Sequence, residues 1–467
     1  MKKPVGDILS ILAGDVGGRA VGFLVTLYLA RVLAPTSFGI VNIGMAVLGY
    51  LSLLGSPGIQ MVEARNAAAA DGGMPARAGA ILSMRLVIAP LLICLTYVAV
   101  TLGGVPDATR DVIALYALSL IPMSLSLDWL FQGKEDFRGV MLSRLLSATV
   151  FGLFVLIFVR SESQIRLTAV AFLAGSAAGT LLLWVMYRRR FGLPALGWNP
   201  SAWFEVLRTN VPAGTAMFLG QSVTNLPPIV IGILLSNADA GVYSAGMKLI
   251  FLLLIVDRTL NSLLLPVATR YAVSRPAEFP ALLSAALTVI MVMMVPVLIG
   301  TCIVARPAVH LIFGSGYEGA VPVVRVLTGY VLITLLNSIM TCTLVAFGRT
   351  RMYSVIVSGG AIVVCITVVA FTAVFGPPGA GAGIIAGESV MLFLLVRAAS
   401  RVTHLPSVRF LLKPAIAGLA MAASSVALAE IPPLASLVAS SALFVIVLLS
   451  IKGLPRQETR YLRERFI

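Results

Sequence analysis

Apolar residues run through this chain in blocks too long for the core of a soluble domain. Residues 38–62, 167–187, 211–237, 281–305, 326–348 and 355–375 contain no Asp, Glu, Lys or Arg. A bilayer core is about 30 Å thick, and a helix crosses it with about 20 apolar residues. The two-residue alternation of an outer-membrane barrel strand is missing, so helices are the expected spanning structure. The blocks predict spans at 8–33, 38–62, 79–103, 113–132, 140–159, 167–187, 211–235, 241–267, 281–305, 321–347, 352–375, 381–400, 412–429 and 434–451. The expected fold class is therefore an all-α integral membrane protein with about fourteen transmembrane helices.

The polar connections between the blocks test that count. Place the N-terminus inside and sort the 34 Lys and Arg residues. Arg31, Arg110, Arg160, Arg166, Arg306 and Arg325 fall outside, and Arg19, Lys248 and Arg258 fall within spans. Every other basic residue, Arg85 and Arg144 included, sorts to the inside. Such a bias marks the cytoplasmic face, and one miscounted span would scramble it downstream. Both termini are expected in the cytoplasm, with the chain multi-pass in a bacterial inner membrane. Met1-Lys2-Lys3 resembles the start of a signal peptide, but the first block carries Asp15 and Arg19 and reads as an uncleaved helix.

Composition agrees, with 59% hydrophobic and 11% charged residues against roughly 25% charged in a soluble domain. The net charge of +15 could suit nucleic acid. Here it is spread over short connections, where it serves orientation and contact with anionic membrane lipid, with no nucleic-acid partner. Cys94, Cys302, Cys342 and Cys365 all lie in apolar blocks and read as small buried hydrophobes. His310 and His404 are far apart, so no metal site is expected.

The chain repeats itself weakly. Gly39-Ile40-Val41-Asn42-Ile43-Gly44-Met45 returns in form as Gly241-Val242-Tyr243-Ser244-Ala245-Gly246-Met247. Phe131-Gln132-Gly133-Lys134 after the fourth span matches Ala346-Phe347-Gly348-Arg349 after the tenth. The offset implies two parallel six-helix lobes plus two C-terminal helices. The expected division is an N-terminal lobe over 1–190, a cytoplasmic linker over 191–209, a C-terminal lobe over 210–404, and the last two spans with a basic tail over 405–467. Within the linker, 201–208 should form a short amphipathic helix, with Trp203, Phe204 and Leu207 toward lipid and Glu205 and Arg208 toward water.

Charges inside spans need partners or a wet cavity, because each costs at least about 2.5 kcal/mol on insertion scales. Asp15 and Arg19 sit one turn apart, either as a self-neutralising pair or with Arg19 offered to an anion and Asp15 holding it. Arg suits phosphate because its planar fork reaches two oxygens. Lys248 falls in the outer half of the eighth span, and Asp257 and Arg258 in the inner half. Glu388 is mid-span with no basic neighbour on its own helix, either bonded between helices or able to carry a proton. Asp128 has the plainer, structural reading. Gln221, Asn225, Asn261 and Asn337 could meet sugar hydroxyls or hold helices together.

Several segments carry a family resemblance. They are Leu29-Ala30-Arg31-Val32-Leu33-Ala34-Pro35-Thr36-Ser37-Phe38-Gly39, Trp129-Leu130-Phe131-Gln132-Gly133-Lys134-Glu135, Asn210-Val211-Pro212, the Gly241–Leu249 stretch, Phe313-Gly314-Ser315-Gly316-Tyr317 and Ala346-Phe347-Gly348-Arg349. In this order the chain resembles the polysaccharide-transporter branch, the O-antigen-type flippases, of the multidrug/oligosaccharidyl-lipid/polysaccharide exporter (MOP) superfamily. The resemblance implies a flippase for an oligosaccharide on an undecaprenyl pyrophosphate carrier, working by alternating access in O-antigen or exopolysaccharide biosynthesis. A polysaccharide polymerase and glycosyltransferases would be its partners. Arg19, Lys248 and Arg258 would then bind the pyrophosphate, with Gln221 and Asn225 near the sugars. Asp15, Asp257 and Glu388 would couple transport to H⁺ or Na⁺ or serve structure. No cofactor, catalytic residue or enzyme activity is expected. The alternatives are a drug/cation antiporter or a lipid II flippase of the same superfamily.

Overall fold

The computed structural model describes residues 18, 21–69, 74–191, 197–407, 409–428 and 430–451. Contacts divide the chain into two compact units, Met1–Gly241 and Val242–Ile467. No strand occurs among the described residues.

The first unit contains α1 (Val21–Val32), α2 (Pro35–Gly55), α3 (Ile59–Ala69), α4 (Met74–Leu102), α5 (Asp107–Leu118), α6 (Leu120–Ser124), α7 (Asp128–Gly133), α8 (Phe137–Phe158), α9 (Ile165–Phe191), α10 (Pro200–Gly220) and α11 (Ser222–Leu234). The division falls within the next helix, α12 (Asn237–Leu253). The second unit continues with α13 (Ile255–Ser274), α14 (Phe279–Phe313), α15 (Ala320–Ala346), α16 (Thr350–Ala399), α17 (Arg409–Ala427) and α18 (Pro433–Ser450).

Ten helical segments among the described residues are long and apolar enough to cross a membrane, and the bent pair α10–α11 makes an eleventh. One of the ten, α16, is a hairpin of two spans. Gly376 has φ +66°, a left-handed conformation that side chains resist, and Pro377 and Pro378 follow it. The chain reverses there, so that Thr367 Oγ1 donates to Gly383 O at 2.7 Å. Counting the shorter apolar helices at Val21–Val32 and Leu411–Ala427, each of the fourteen expected spans has its helix.

Two of the expected spans, the fourth and the seventh, are broken within their length. Pro122 has no N–H for the carbonyl of Leu118 and its ring crowds that carbonyl; α5 ends at Leu118. The fourth span therefore proceeds as α5, α6 and α7. In the seventh, Pro227 and Pro228 disrupt the start of α11, and α10 meets α11 at 58°.

Residues 201–208 are the first turns of α10, not a separate linker helix. Trp203 and Leu207 pack on a buried cluster that includes Trp129, Phe131, Leu183 and Tyr187, rather than facing lipid. Trp203 Nε1 also donates to Ser83 Oγ at 3.0 Å. Phe204, turned about 100° from Trp203 around the helix, is exposed as expected. Through α3, α2 and α4, α10 packs into the first unit. The division by contacts thus falls after Gly241, beyond the 191–209 segment, of which residues 192–196 lie outside the described residues.

The repeated glycines have a packing reason. A Cβ on Gly39 would overlap the carbonyl oxygen of Asn237, and one on Gly241 would overlap that of Pro35. The starts of α2 and α12 meet backbone to backbone, which small residues permit. In the second unit, α15 packs against α13, α14 and α16, and the α17–α18 hairpin lies on α14. Of the cysteines, Cys342 is buried, Cys302 and Cys365 are half-buried and Cys94 is exposed on α4, so the expectation of four buried thiols holds in full only at Cys342.

Candidate functional site: a hydroxyl-lined cavity with two arginines

Breaking a helix inside a membrane frees carbonyls that water cannot satisfy, so neighbouring side chains must do so. Around α6 they do. Thr180 Oγ1 donates to Pro122 O at 3.0 Å, and Trp184 Nε1 to Leu125 O at 2.9 Å. Arg85 Nη1, from α4, donates to Ser124 O at 3.4 Å and Ser126 O at 3.2 Å. Arg85 is thereby fixed within the helix bundle with 4% of its surface exposed. Its Nε has no hydrogen-bond partner among the described residues.

The break opens a cavity of about 600 Å³ within the first unit. Arg85, Arg144 and Asp128 supply its charged groups, and Asp128 lies in electrostatic range of both arginines. Among the described residues its lining carries two guanidiniums and one carboxylate. Hydroxyls dominate the remaining polar lining: Thr26, Ser52, Ser56, Ser124, Ser143, Ser147, Ser176 and Thr180. Their concentration on α8 and α9 has a structural origin, because small residues let these helices approach closely; Ser143 Oγ donates to Gly179 O at 2.9 Å. The same small residues leave room between the helices.

Beside this cavity, Glu63 of α3 is completely buried. Its carboxylate accepts from Arg77 Nε at 2.7 Å and Nη2 at 2.8 Å, a bidentate pair, and from Asn210 Nδ2 at 2.8 Å. Burial works against ionisation, but the bonds from Arg77 and Asn210 and the charge of Arg77 outweigh it. They hold the Glu63 carboxyl below its ordinary 4.5. Arg77 also reaches Glu205 at 3.5 Å. Asn210, from the Asn-Val-Pro motif, thus ties α10 to α3.

The expected site residues are distributed over both units. Asp15 and Arg19 lie outside the described residues. Gln221 is exposed at the α10–α11 break, accepting from Thr224 Oγ1 at 3.0 Å. Asn225 occupies the space beside Gly49 of α2. In the second unit, Lys248 is half-buried on α12 without a hydrogen-bond or ion-pair partner among the described residues, and Arg258 is exposed on α13. Asp257 accepts from Ser338 and from Asn261 Nδ2 at 3.3 Å. Asn261 Oδ1 in turn accepts from Cys342 Sγ at 3.2 Å.

Glu388 is not solitary: it accepts from Asn337 Nδ2 at 2.6 Å across α15 and α16. The structure also places Asp257 and Glu388 in electrostatic range of each other, each held by its own amide, Asn261 and Asn337. Sequence reasoning missed Arg85 and Arg144 as cavity residues, because sorting charges by side places both at the cytoplasmic end. The available signal was Arg85 within the predicted third span.

The fold is that of MOP-superfamily transporters. A structure titled as lipid II flippase MurJ in an inward closed conformation matches with a TM-score of 0.77 over 98% of this chain and 99% of that one, at 13% identity. An inward-facing multidrug resistance MATE transporter of the MOP superfamily matches at 0.59, covering 82% of this chain and 94% of its own, at 12% identity. A MOP superfamily transporter from Pyrococcus furiosus matches at 0.53, covering 84% and 93%, at 13% identity. No curated protein matches the sequence. Residues 5–272 match the polysaccharide biosynthesis protein family, and the chain belongs to it.

Proposed function

We propose that this protein translocates a polyprenyl-pyrophosphate-linked oligosaccharide across the cytoplasmic membrane, alternating access between its faces. The observation that carries this reading is the hydroxyl-lined cavity of the first unit, with Arg85 and Arg144 in its lining. Arg144 and the free Nε edge of Arg85 offer donors suited to phosphate oxygens. Rows of Ser and Thr suit sugar hydroxyls, while the polyprenyl tail stays in lipid. Arg19, Lys248 and Arg258 are further candidate phosphate contacts, with Gln221 and Asn225 as candidate sugar contacts. Asp257 and Glu388 form the candidate coupling pair for H⁺ or Na⁺, and Asp15 is assigned with them. A polymerase and glycosyltransferases would act before and after translocation. The family description supports a polysaccharide precursor; the fold likeness to a lipid II flippase supports lipid II as the second candidate cargo.

The test is binding of a short-chain polyprenyl pyrophosphate to purified protein. Arg144→Gln should weaken it about tenfold or more, the value of one charge-assisted contact of roughly 1.5–3 kcal/mol. Equal binding by the variant and the parent would remove the cavity from the substrate path.

A further inference from the structure

The second unit contains a larger cavity of about 970 Å³, which shares no lining residue with the cavity of the first unit. This is at the upper end of the roughly 300–1,000 Å³ typical of ligand sites. It lies where the end of α14, the start of α15, the end of α17 and the start of α18 converge. Its walls are mainly aliphatic, with Leu298, Ile299 and Ile303 on one side and Ala422, Val426 and Ile431 on the other. Val426 and Ile431 are also exposed, as is neighbouring Leu434. The cavity therefore opens onto a surface built to meet hydrocarbon, and its aliphatic interior is continuous with that layer.

Polar groups are few and placed at one end. Arg306 and Arg325 stand at the rim, on α14 and α15. Glu318 faces Arg306 at 3.6 Å and His310 at 2.8 Å. Arg325 has no carboxylate within ion-pair distance among the described residues. Among the described residues the cavity lining carries two guanidiniums and no carboxylate; Glu318 offsets part of the charge on Arg306, and the exposed Glu430 lies on the connection between Leu428 and Ile431. Deeper in, Ser436 lines the cavity with 3% of its surface exposed, and its Oγ has no hydrogen-bond partner among the described residues. A buried hydroxyl in apolar surroundings is costly without a partner, and this one belongs to a residue of the cavity wall.

We propose that this groove holds an anionic glycerophospholipid of the surrounding bilayer, phosphate on Arg306 and Arg325, one acyl chain between α14 and the α17–α18 hairpin. The ester or glycerol oxygens near the head are within the polar zone that Ser436 completes. The two guanidiniums at the rim select a headgroup with net negative charge over a zwitterion, whose ammonium would meet the same arginines. By the charge asymmetry of the connections, the rim faces the non-cytoplasmic leaflet. The lipid would act as a wedge securing the last two helices to the second unit. This does not depend on which cargo the first unit carries.

The experiment uses full-length protein in detergent with a photoactivatable phosphatidylglycerol, the crosslinks being mapped by mass spectrometry. Labelling should concentrate on residues 298–303 and 422–436. Unlabelled phosphatidylglycerol should compete, and phosphatidylcholine should not. Arg306→Gln with Arg325→Gln should weaken capture about thirtyfold, from roughly a factor of five per basic residue at a lipid surface. Ser436→Phe, which fills the groove without changing charge, should also abolish labelling. Arg306→Lys with Arg325→Lys should retain it. Labelling spread over other helices of the parent protein, equal competition by phosphatidylcholine, or undiminished capture by the double Gln variant would overturn the proposal. So would displacement by a polyprenyl phosphate at far lower concentration than phosphatidylglycerol, which would assign the groove to the carrier lipid instead.

Discussion

Replacing Glu63 with Ala removes the centre of the network joining α3, α4 and α10. The change deletes a bidentate pair to Arg77 and the bond from Asn210. Removing one partner of a buried pair costs about 3–5 kcal/mol, chiefly because the other is left desolvated. The Arg77 side chain is 28% exposed and keeps Glu205 at 3.5 Å, which moderates the loss toward roughly 3 kcal/mol. For a unit of this size that is a fall in Tm of about 6–12 °C, at roughly 2–4 °C per kcal/mol. Fluorescence-monitored unfolding in detergent measures it directly. Because the folded carboxyl lies below 4.5, its contribution should be complete above about pH 5 and fade as pH falls through the folded value. Glu63→Gln, which cannot titrate, should therefore approach the parent in stability as the medium is acidified below that range. A Tm for Glu63→Ala within about 2 °C of the parent at neutral pH would refute this reasoning. So would a gap between Glu63→Gln and the parent that widens in acid.

Other consequences follow from separate parts of the molecule. Glu388→Gln keeps the shape of the Asn337 contact but removes a titratable group, so any proton-driven transport should lose its pH dependence while protein levels hold. An unaltered profile would release Glu388 from coupling. Gly39→Val must push α2 from the Asn237 carbonyl and should sharply reduce folded protein in the membrane, whereas Gly220→Ala, with nothing within 4 Å, should accumulate normally. Comparable yields of the two would contradict the close approach of α2 and α12. Alkaline phosphatase fused to the C-terminus should be inactive, as both ends are expected in the cytoplasm; an active fusion would break the topology.

The spans were legible because a crossing helix must be apolar along its whole length, and that requirement is written residue by residue. The repeated Gly39 and Gly241 were also legible, although their reason, mutual backbone contact, was not. Hydropathy does not register where a helix breaks. Pro122 and the Pro227-Pro228 pair carried that information, but their apolar rings merge into the surrounding blocks. Arg85 shows the complementary blindness. Counting charges by side places it in the cytoplasm, while the carbonyls it caps exist only because α6 is broken. Trp203 and Leu207 were assigned to lipid since an amphipathic pattern identifies an apolar face without saying what covers it. Asn210 was visible as part of a motif, yet its partner Glu63 is distant in sequence and falls just past a charge-free block.

The central claim is movement of an anionic glycolipid, and reconstituted flipping measures it most directly. Proteoliposomes would be offered a fluorescent polyprenyl-pyrophosphate oligosaccharide, lipid II and a cationic dye in parallel. The account predicts movement of the polyprenyl-pyrophosphate oligosaccharide, lost in Arg144→Gln, with the dye stationary. Movement of the dye under a Na⁺ or H⁺ gradient, with both glycolipids stationary, would contradict it.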